Sequence, residues 1–249
     1  MENINEAFVK ESDLFSRGTI TVKSLHNVKV ESVIASVAAD LLFIGSGGSI
    51  FFTSLDNIVR AFVEAASLNA SEAVQIIARS RDVIDLIIGT GGAGAIGGVA
   101  GSIGLTLIET ITEAYLQGAI NQNPRFRPGG LYQPGTEKQS ILVLADNETK
   151  VKTFGGALGV GVGFGVGAAL DLVSIHNRTV AMVKAATNLY ARDDIEVRAK
   201  SLKIVDSQVY SGEATGLVGI SGAVSIIIVG TAIDEDGKNE FNQVLQEQL

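Results

Sequence analysis

The chain has 249 residues, 29 glycines, no cysteine and a formal net charge of −8. The acidic balance argues against nucleic-acid binding, because phosphate contacts need clustered lysine and arginine. The absence of cysteine excludes disulfides, thiolate metal sites and cysteine nucleophiles, and a hydrophobic fraction of 46% argues against a disordered chain.

A repeat of roughly 53 residues runs along the chain, and an alanine marks each copy. The segments EAFVKES, RAFVEAA, EAYLQGA and VAMVKAA carry this alanine at Ala7, Ala61, Ala114 and Ala181, and a weaker copy surrounds Ala232. We therefore expect a single repeat array over residues 1–234. Its copies lie at roughly 1–12, 13–66, 67–119, 136–186 and 187–234.

Two further positions keep phase with the alanines. Segments that alternate apolar and polar residues begin near Ile20, Val74, Ile141 and Ile195, and this alternation predicts half-buried strands. Four residues before each alanine stand Asn3, Asn57, Thr110 and Asn177. Such residue types favour turns or stacked hydrogen-bonding ladders.

Glycine-rich apolar segments also recur once per copy, and GGALGVGVGFGVGAAL (155–170) allows three interpretations. A membrane helix is supported by the charge-free run 86–108. A nucleotide-binding loop is supported by Gly89, Gly91 and Gly94, which follow an apolar run. A strand is supported by the strict alternation of glycine with Val160, Val162, Phe164 and Val166.

The strand interpretation is preferred. Long glycine runs form poor helices, at roughly 1 kcal/mol per glycine relative to alanine. The nucleotide fingerprint would also need a helix in AIGGVAGSIG, which is itself rich in glycine. As a strand, the segment puts its apolar side chains on one face and its glycines on the other, where another backbone can approach closely.

The segment 120–135 holds all three prolines and lengthens one copy, so we expect an inserted loop there. Long insertions on repeat arrays often bind partners, and Arg125, Phe126, Arg127 and Tyr132 are the candidate contact residues. A merely solvated loop is the alternative. Residues 235–249 form a tail, for which we expect a short helix.

Three segments carry a resemblance to a known family: GSIGLTLIETITEAYLQGA (101–119), GAALDLVSIHNRTVAMVKAA (167–186) and DDIEVRAKS (193–201). They resemble the repeats of giant bacterial adhesin- or haemagglutinin-like and leukotoxin-like exoproteins, which are often passengers of autotransporter or two-partner secretion. The family pattern includes an N-x-T-x-A turn, matched here by Asn177, Thr179 and Ala181. The resemblance implies a right-handed parallel β-helix or β-solenoid at the cell surface or outside the cell.

We therefore expect a structural or adhesive segment of a longer secreted or surface-anchored protein, with no catalysis, cofactor or metal. Its partners would be neighbouring repeats of the same long chain and a host-cell or extracellular-matrix surface. His26 and His176 stand alone in different repeat phases, which argues against a histidine site. The alternatives are a membrane-embedded or pore-forming protein with glycine-rich helices and, more remotely, a nucleotide-binding enzyme using Gly89, Gly91 and Gly94.

Overall fold

A computed structural model describes residues 2–127, 129–131 and 139–230. These residues form eleven β-strands and one 3-10 turn at Pro124–Phe126, and the described ranges contain no α-helix. The strands in chain order are β1 (Glu2–Lys10), β2 (Asp13–Ser16), β3 (Ile20–Asp40), β4 (Ile44–Ala70), β5 (Ala73–Gly94), β6 (Gly97–Ile120), β7 (Ser140–Gly161), β8 (Phe164–Val183), β9 (Asn188–Leu189), β10 (Ile195–Thr215) and β11 (Val218–Gly230). The all-β prediction is confirmed, whereas the helix expected in 235–249 lies outside the described residues.

The strands form two sheets in which every pairing is parallel. Sheet 1 has the order β1-β4-β6-β8-β11, with β2 beside β4 and β9 beside β6. Sheet 2 has the order β10-β7-β5-β3. Two parallel neighbours in a sheet can be joined only by a segment that returns the chain to the starting edge. Here that segment is a long strand of the other sheet, so the chain alternates between sheet 2 and sheet 1. One strand from each sheet, with the turn that joins them, makes one coil of the chain. The first to fourth coils are β3 with β4, β5 with β6, β7 with β8, and β10 with β11.

The register repeats along both sheets. Most paired residues are 54 or 53 positions apart, or 67 across the insertion. The step is one residue shorter beyond the bulge between Val63 and Ala66, and it is two residues longer where β6 pairs with β9. In sheet 1, Ala7, Ala61, Ala114 and Ala181 are successive Cα partners. In sheet 2, the corresponding row is Ile20, Val74, Ile141 and Ile195. The sequence repeat is therefore the stacking repeat of the sheets in the described part of the chain.

The space between the sheets changes character along the strands. At the end of the coil nearest the insertion, apolar side chains such as Val59, Ile76 and Leu116 form a fully buried core. A band of buried polar residues follows, and beyond it lies a second aliphatic cluster that includes Ile84 and Ile108. Past this cluster the inward positions are mostly glycine, alanine, serine and threonine. Alternate residues point inward, as the pleat requires.

Ladders of side chains on the outer surface follow the same register. Arg60 bridges Glu6 and Glu113 on the neighbouring strands, with nitrogen–oxygen distances of 3.3 and 2.9 Å. Two residues further along the strand, Phe62 stacks between Phe8 and Tyr115, at ring-centroid distances of 5.3 and 4.8 Å. Direct cross-strand contacts of this kind stabilise the in-register pairing. A slip of one residue would break them, because it would turn every side chain of the strand to the other face.

The insertion begins with a clamp at Asn121, which is fully buried and has a positive φ of 55°. Its side chain accepts a hydrogen bond from the backbone N–H of Ala70 and donates one to the carbonyl of Tyr190, at 2.9 and 3.0 Å. Asparagine tolerates this left-handed backbone better than most residues because its short side chain bonds locally. One residue thus ties together three successive coils where the chain leaves the sheet.

Two local expectations are wrong. Asn177, Thr179 and Ala181, predicted as a turn, lie within strand β8. The segment 155–170 is not one strand either: β7 ends at Gly161, the chain turns through 162–163, and β8 begins at Phe164 in the other sheet. The predicted separation of faces nevertheless holds on both sides of the turn.

Candidate functional site

Two of the three described candidate contact residues, Phe126 and Arg127, hold the inserted loop against the sheets. Phe126 is buried and stacks on Phe15 at 5.9 Å between ring centroids. Arg127 donates from Nε to the carbonyl of Asn121 at 3.1 Å and lies over the Tyr190 ring at 4.6 Å. Arg125 alone of the described candidates is exposed, and Tyr132 lies outside the described residues. The loop therefore offers Arg125 to solvent.

The row that begins with Asn3 forms a buried polar band inside the molecule. Asn3 donates from Nδ2 to Oδ1 of Asn57 at 2.9 Å. Further along, Asn177 donates to Asn147 Oδ1 and Thr149 Oγ1, each at 2.7 Å. Of the two roles that the sequence allowed for these residues, the hydrogen-bonding ladder is the one adopted, because their side chains point inward from the middle of long strands.

A buried carboxylate, Asp82 of β5, lies in this band. Asn57 Nδ2 donates to its Oδ1 at 3.1 Å, and Thr110 Oγ1 donates to its Oδ2 at 2.9 Å. Nε2 of His26 is 3.9 Å from Oδ1. Burial raises the pKa of Asp82 because it penalises the charged form, and the hydrogen bonds and His26 offset only part of this effect.

A second inward carboxylate, Asp171 of β8, is also buried. Thr153 donates a short hydrogen bond to its Oδ2, and Ser207 donates to the same oxygen at 2.6 Å. Neither Asp82 nor Asp171 was singled out from the sequence. Their strands alternate polar and apolar residues in the usual way, and only the structure shows that these two carboxylates belong to the inward phase.

The remaining sequence candidates do not converge on a chemical site. His26 faces inward beside Asp82, whereas His176 contacts Ser174 at 3.2 Å. In the described part of the chain, no cluster of three or more histidine, cysteine or acidic residues could hold a metal ion. The glycines of the nucleotide fingerprint lie at the end of β5 and are followed by strand β6. The helix N-terminus that would bind the phosphates is thus replaced by a strand.

The glycine-rich ends of the coils form a distinct unit, which we call the apolar lobe and which comprises residues 32–55, 86–108, 153–175 and 207–229. Inside it, the two sheets approach until their backbones touch. A Cβ added at Gly92 would press directly on the backbone of Val99 in the opposite sheet, and one at Gly159 on that of Val166. Only glycine allows this approach.

Where the lobe borders the polar band, inward residues such as Leu55, Ile108 and Val173 belong to the second aliphatic cluster. Beyond that cluster small residues fill most of the inside, and the larger apolar side chains point mostly outward. In the second and third coils, Ile87 and Phe154 project from sheet 2 and Ile103 and Leu170 from sheet 1, and all four are exposed. The turns at the tip are apolar as well, with Leu41 91% and Leu217 82% exposed. The second coil carries no charge between 86 and 108, and each of the others carries a single acid there, Asp40, Asp171 or Glu213.

The two outer faces of the lobe differ. On sheet 1, the small residues Gly48, Gly101, Ala168 and Gly222 form one row, which runs beside the larger row Ile50, Ile103, Leu170 and Val224. Together the rows line an apolar groove of about 590 Å³ across four coils. On sheet 2, a groove of about 420 Å³ is lined by Leu158 and Phe154 but also by Thr90, Ser211 and Tyr210. The sheet 1 face is the more uniformly apolar surface.

Charged rows border the lobe on both faces. Glu31, Asp85, Lys152 and Asp206 are successive partners in sheet 2, and Asp56, Glu109 and His176 are successive partners in sheet 1. The outer surface therefore divides into a charged part and an apolar part. The alternative interpretation of the sequence placed the apolar segments in membrane helices, but in the structure they are strands. No helix in the described ranges is long and apolar enough to cross a membrane.

No family model, curated protein or solved structure matches this chain.

Proposed function

We propose that the chain is a right-handed parallel β-solenoid with coils of roughly 50 residues, and that it serves as a structural and adhesive segment of a larger secreted or surface-anchored bacterial repeat protein. The observation that carries this proposal is the register step of 53 or 54 residues, which both sheets keep along their long strand pairings outside the insertion, up to the bulge between Val63 and Ala66. Right-handedness is expected because parallel crossover connections are right-handed in about 98% of cases.

The exposure of inward residues in β10 and β11 supports the view that neighbouring repeats pack on these strands. Ile195 and Val197 continue inward rows that are fully buried in β7, yet they are 50% and 45% exposed. The inward Val229 of β11 is 49% exposed. Stacking a neighbouring repeat of the same long chain would bury these positions, as it does in repeat proteins generally.

The adhesive role rests on a repetitive surface and on an inserted loop that exposes Arg125, alone among the described candidate contact residues. The stack stabilises itself through its own hydrogen bonds and ladders, so the proposal assigns no reaction and no cofactor to it. Its external partners would be a host-cell surface or the extracellular matrix. Of the described candidate contact residues, Arg125 is the one that such a partner would meet, because Phe126 and Arg127 are engaged in holding the loop to the sheets.

Display of the 249-residue chain on a non-adherent bacterium would test this function. We expect more attachment to cultured cells and to matrix-coated surfaces than the display scaffold alone gives, and a partial loss with Arg125→Ala. An epitope tag would establish equal display, and protease resistance would establish folding. Attachment at the level of the bare scaffold, with a folded and displayed chain, would refute the adhesive role.

A further inference from the structure

We propose that the sheet 1 face of the apolar lobe is a self-association surface, on which a second copy of this chain packs face to face through its own sheet 1 lobe. This interaction goes beyond the shaft function and does not depend on it. It would join two shafts side by side, whereas the neighbouring repeats of one chain stack end to end.

The shape of this face is complementary to that of the same face on a second copy. The row Gly48, Gly101, Ala168 and Gly222 is a furrow, and the adjacent row Ile50, Ile103, Leu170 and Val224 is a ridge. The two rows lie two residues apart on every strand. A copy related by a two-fold axis therefore brings its ridge to the other's furrow and receives a ridge in return, as an isologous interface requires.

The area is sufficient for a dimer. Four strands at about 4.8 Å spacing and about ten residues at about 3.3 Å each give a face of roughly 600 Å² on each copy. The pair would bury roughly 1,200 Å², the lower end of the range for specific complexes. A longer array would add area with every coil, so the same contact would strengthen along paired shafts.

A second copy fits this face better than a lipid bilayer does. In the described residues, β4 pairs from Ile44 to Thr53 on one edge only, with β6, so the N–H and C=O groups of its other edge have no partner strand. The carbonyl of Gly48 accepts a hydrogen bond from Ser36 Oγ at 2.9 Å. Backbone groups without a partner are strongly unfavourable in hydrocarbon, where no water can pair with them. Packing of one sheet face on another leaves the edges in water and covers only the apolar side chains.

The lack of charge on this face also favours a second copy of the chain as the partner. Between Ser46 and Ser54, the outward positions of β4 carry no ionisable group, and the same holds for the matching positions of β6, β8 and β11. A partner with a charged surface would lose the hydration of its charges without compensation. A copy of the same uncharged face incurs no such loss.

Sedimentation equilibrium of the purified chain over a concentration series is the direct test. We expect reversible dimerisation of the 25.9 kDa chain with a dissociation constant of roughly micromolar order. Ile103→Asp puts a charge on the sheet 1 ridge and should weaken the dimer at least about tenfold. Ile87→Asp is the matched control, because Ile87 is about as exposed (49% against 43%) but projects from sheet 2; it should leave the constant unchanged within about twofold.

Circular dichroism would establish that both variants keep the β-structure. If Ile103→Asp does not fold, Leu170→Asp in the same ridge and the dilution series of the unmodified chain provide the same test. A chain that stays monomeric to about 0.1 mM overturns the proposal, and monomers that bind phosphatidylcholine vesicles would redirect it to lipid. Association that resists Ile103→Asp points to edge-to-edge stacking and also overturns it. None of these results would alter the attachment assay, in which the displayed chain is tested against foreign surfaces.

Discussion

Asn57 of β4 donates a hydrogen bond of 3.1 Å across the interior to the buried carboxylate of Asp82 in β5, and so joins the two sheets. The pair lies in a polar band between two aliphatic clusters. Because Asn57 also accepts from Asn3 at 2.9 Å, the contact continues along the stack. A buried acid in this position couples the stability of the stack to pH.

The pKa of Asp82 is raised by burial. At pH values between the ordinary pKa and the raised pKa, Asp82 is protonated in more of the folded chains than of the unfolded chains. The contribution of Asp82 to the free energy of unfolding therefore falls as the pH rises through the raised pKa. We expect that Asp82→Asn removes this pH-dependent fall in stability, because asparagine does not ionise. The free energy of unfolding of the variant minus that of the unmodified chain should therefore increase with pH and level off above the raised pKa.

Urea unfolding measured from pH 4 to pH 8 would check this prediction. Asp85→Asn is the control, because Asp85 points outward from the same strand. A pH-dependent gain of equal size in both variants would show that removal of net negative charge, and not burial of Asp82, is responsible.

The glycines of the lobe should differ sharply according to the face on which they lie. Gly92→Ala would press its new methyl group on the backbone of Val99 and Gly45, and we expect a loss of about 1–3 kcal/mol or more. Gly89→Ala, on the outer face of the same strand, meets nothing within 4 Å. It should be neutral or stabilise the chain by about 0.5–1 kcal/mol. Thermal unfolding of the two variants would check this pair, and equal losses would refute the inward packing of Gly92.

The clamp at Asn121 should matter more than any single side chain of the inserted loop. Asn121→Ala removes the acceptor of the Ala70 N–H and the donor to Tyr190, and it leaves alanine at a positive φ. We expect a loss of about 2–4 kcal/mol in denaturant unfolding. Asn121→Gly relieves only the backbone and should recover about 1 kcal/mol of this loss. If Asn121→Gly were as stable as the unmodified chain, the side-chain bonds would contribute nothing.

The outer ion ladder should contribute little. Arg60 bridges Glu6 and Glu113, but about a third of its side chain is exposed. Exposed pairs of this kind contribute about 0–1 kcal/mol, and salt screens them. We therefore expect Arg60→Met to lower the free energy of unfolding by at most about 1 kcal/mol at low ionic strength, and by less in 1 M salt. A loss that persists at high salt would assign the effect to packing of the arginine stem.

Much of the fold could be predicted from the sequence because both of its periods are visible there. The alanine repeat predicts the stacking partners, and the alternation in the glycine-rich segments predicts strands with one glycine face. The turn at 162–163 could not be predicted. Gly161 and Gly165 lie on either side of it, and a turn of two residues leaves the period of two unbroken, so the segment looks like one continuous strand.

The candidate contact surface was harder to predict, since the sequence does not say which face of a strand is inward. Apolar residues ordinarily face inward, but around Gly159 the neighbouring sheet comes so close that only glycine fits, and Val160 and Leu158 point outward. For the same reason the burial of Asp82 and Asp171 could not be predicted, because it depends on which residues of each strand face inward. In the described part of the inserted loop, Phe126 stacks on Phe15 and Arg127 donates to the carbonyl of Asn121, and the sequence alone does not indicate these contacts.

The in-register stack of coils is the central claim, and a distance between two spin labels tests it most directly. The chain has no cysteine, so Thr21→Cys and Glu196→Cys provide two labelling sites. Both residues lie in one outer row of sheet 2, linked through Gln75 and Leu142, three strand spacings apart. With labelled chain diluted into unlabelled chain, pulsed electron paramagnetic resonance should give a narrow distribution at roughly 15–25 Å, since three spacings span about 14 Å of backbone. A broad distribution beyond about 35 Å would contradict the stack.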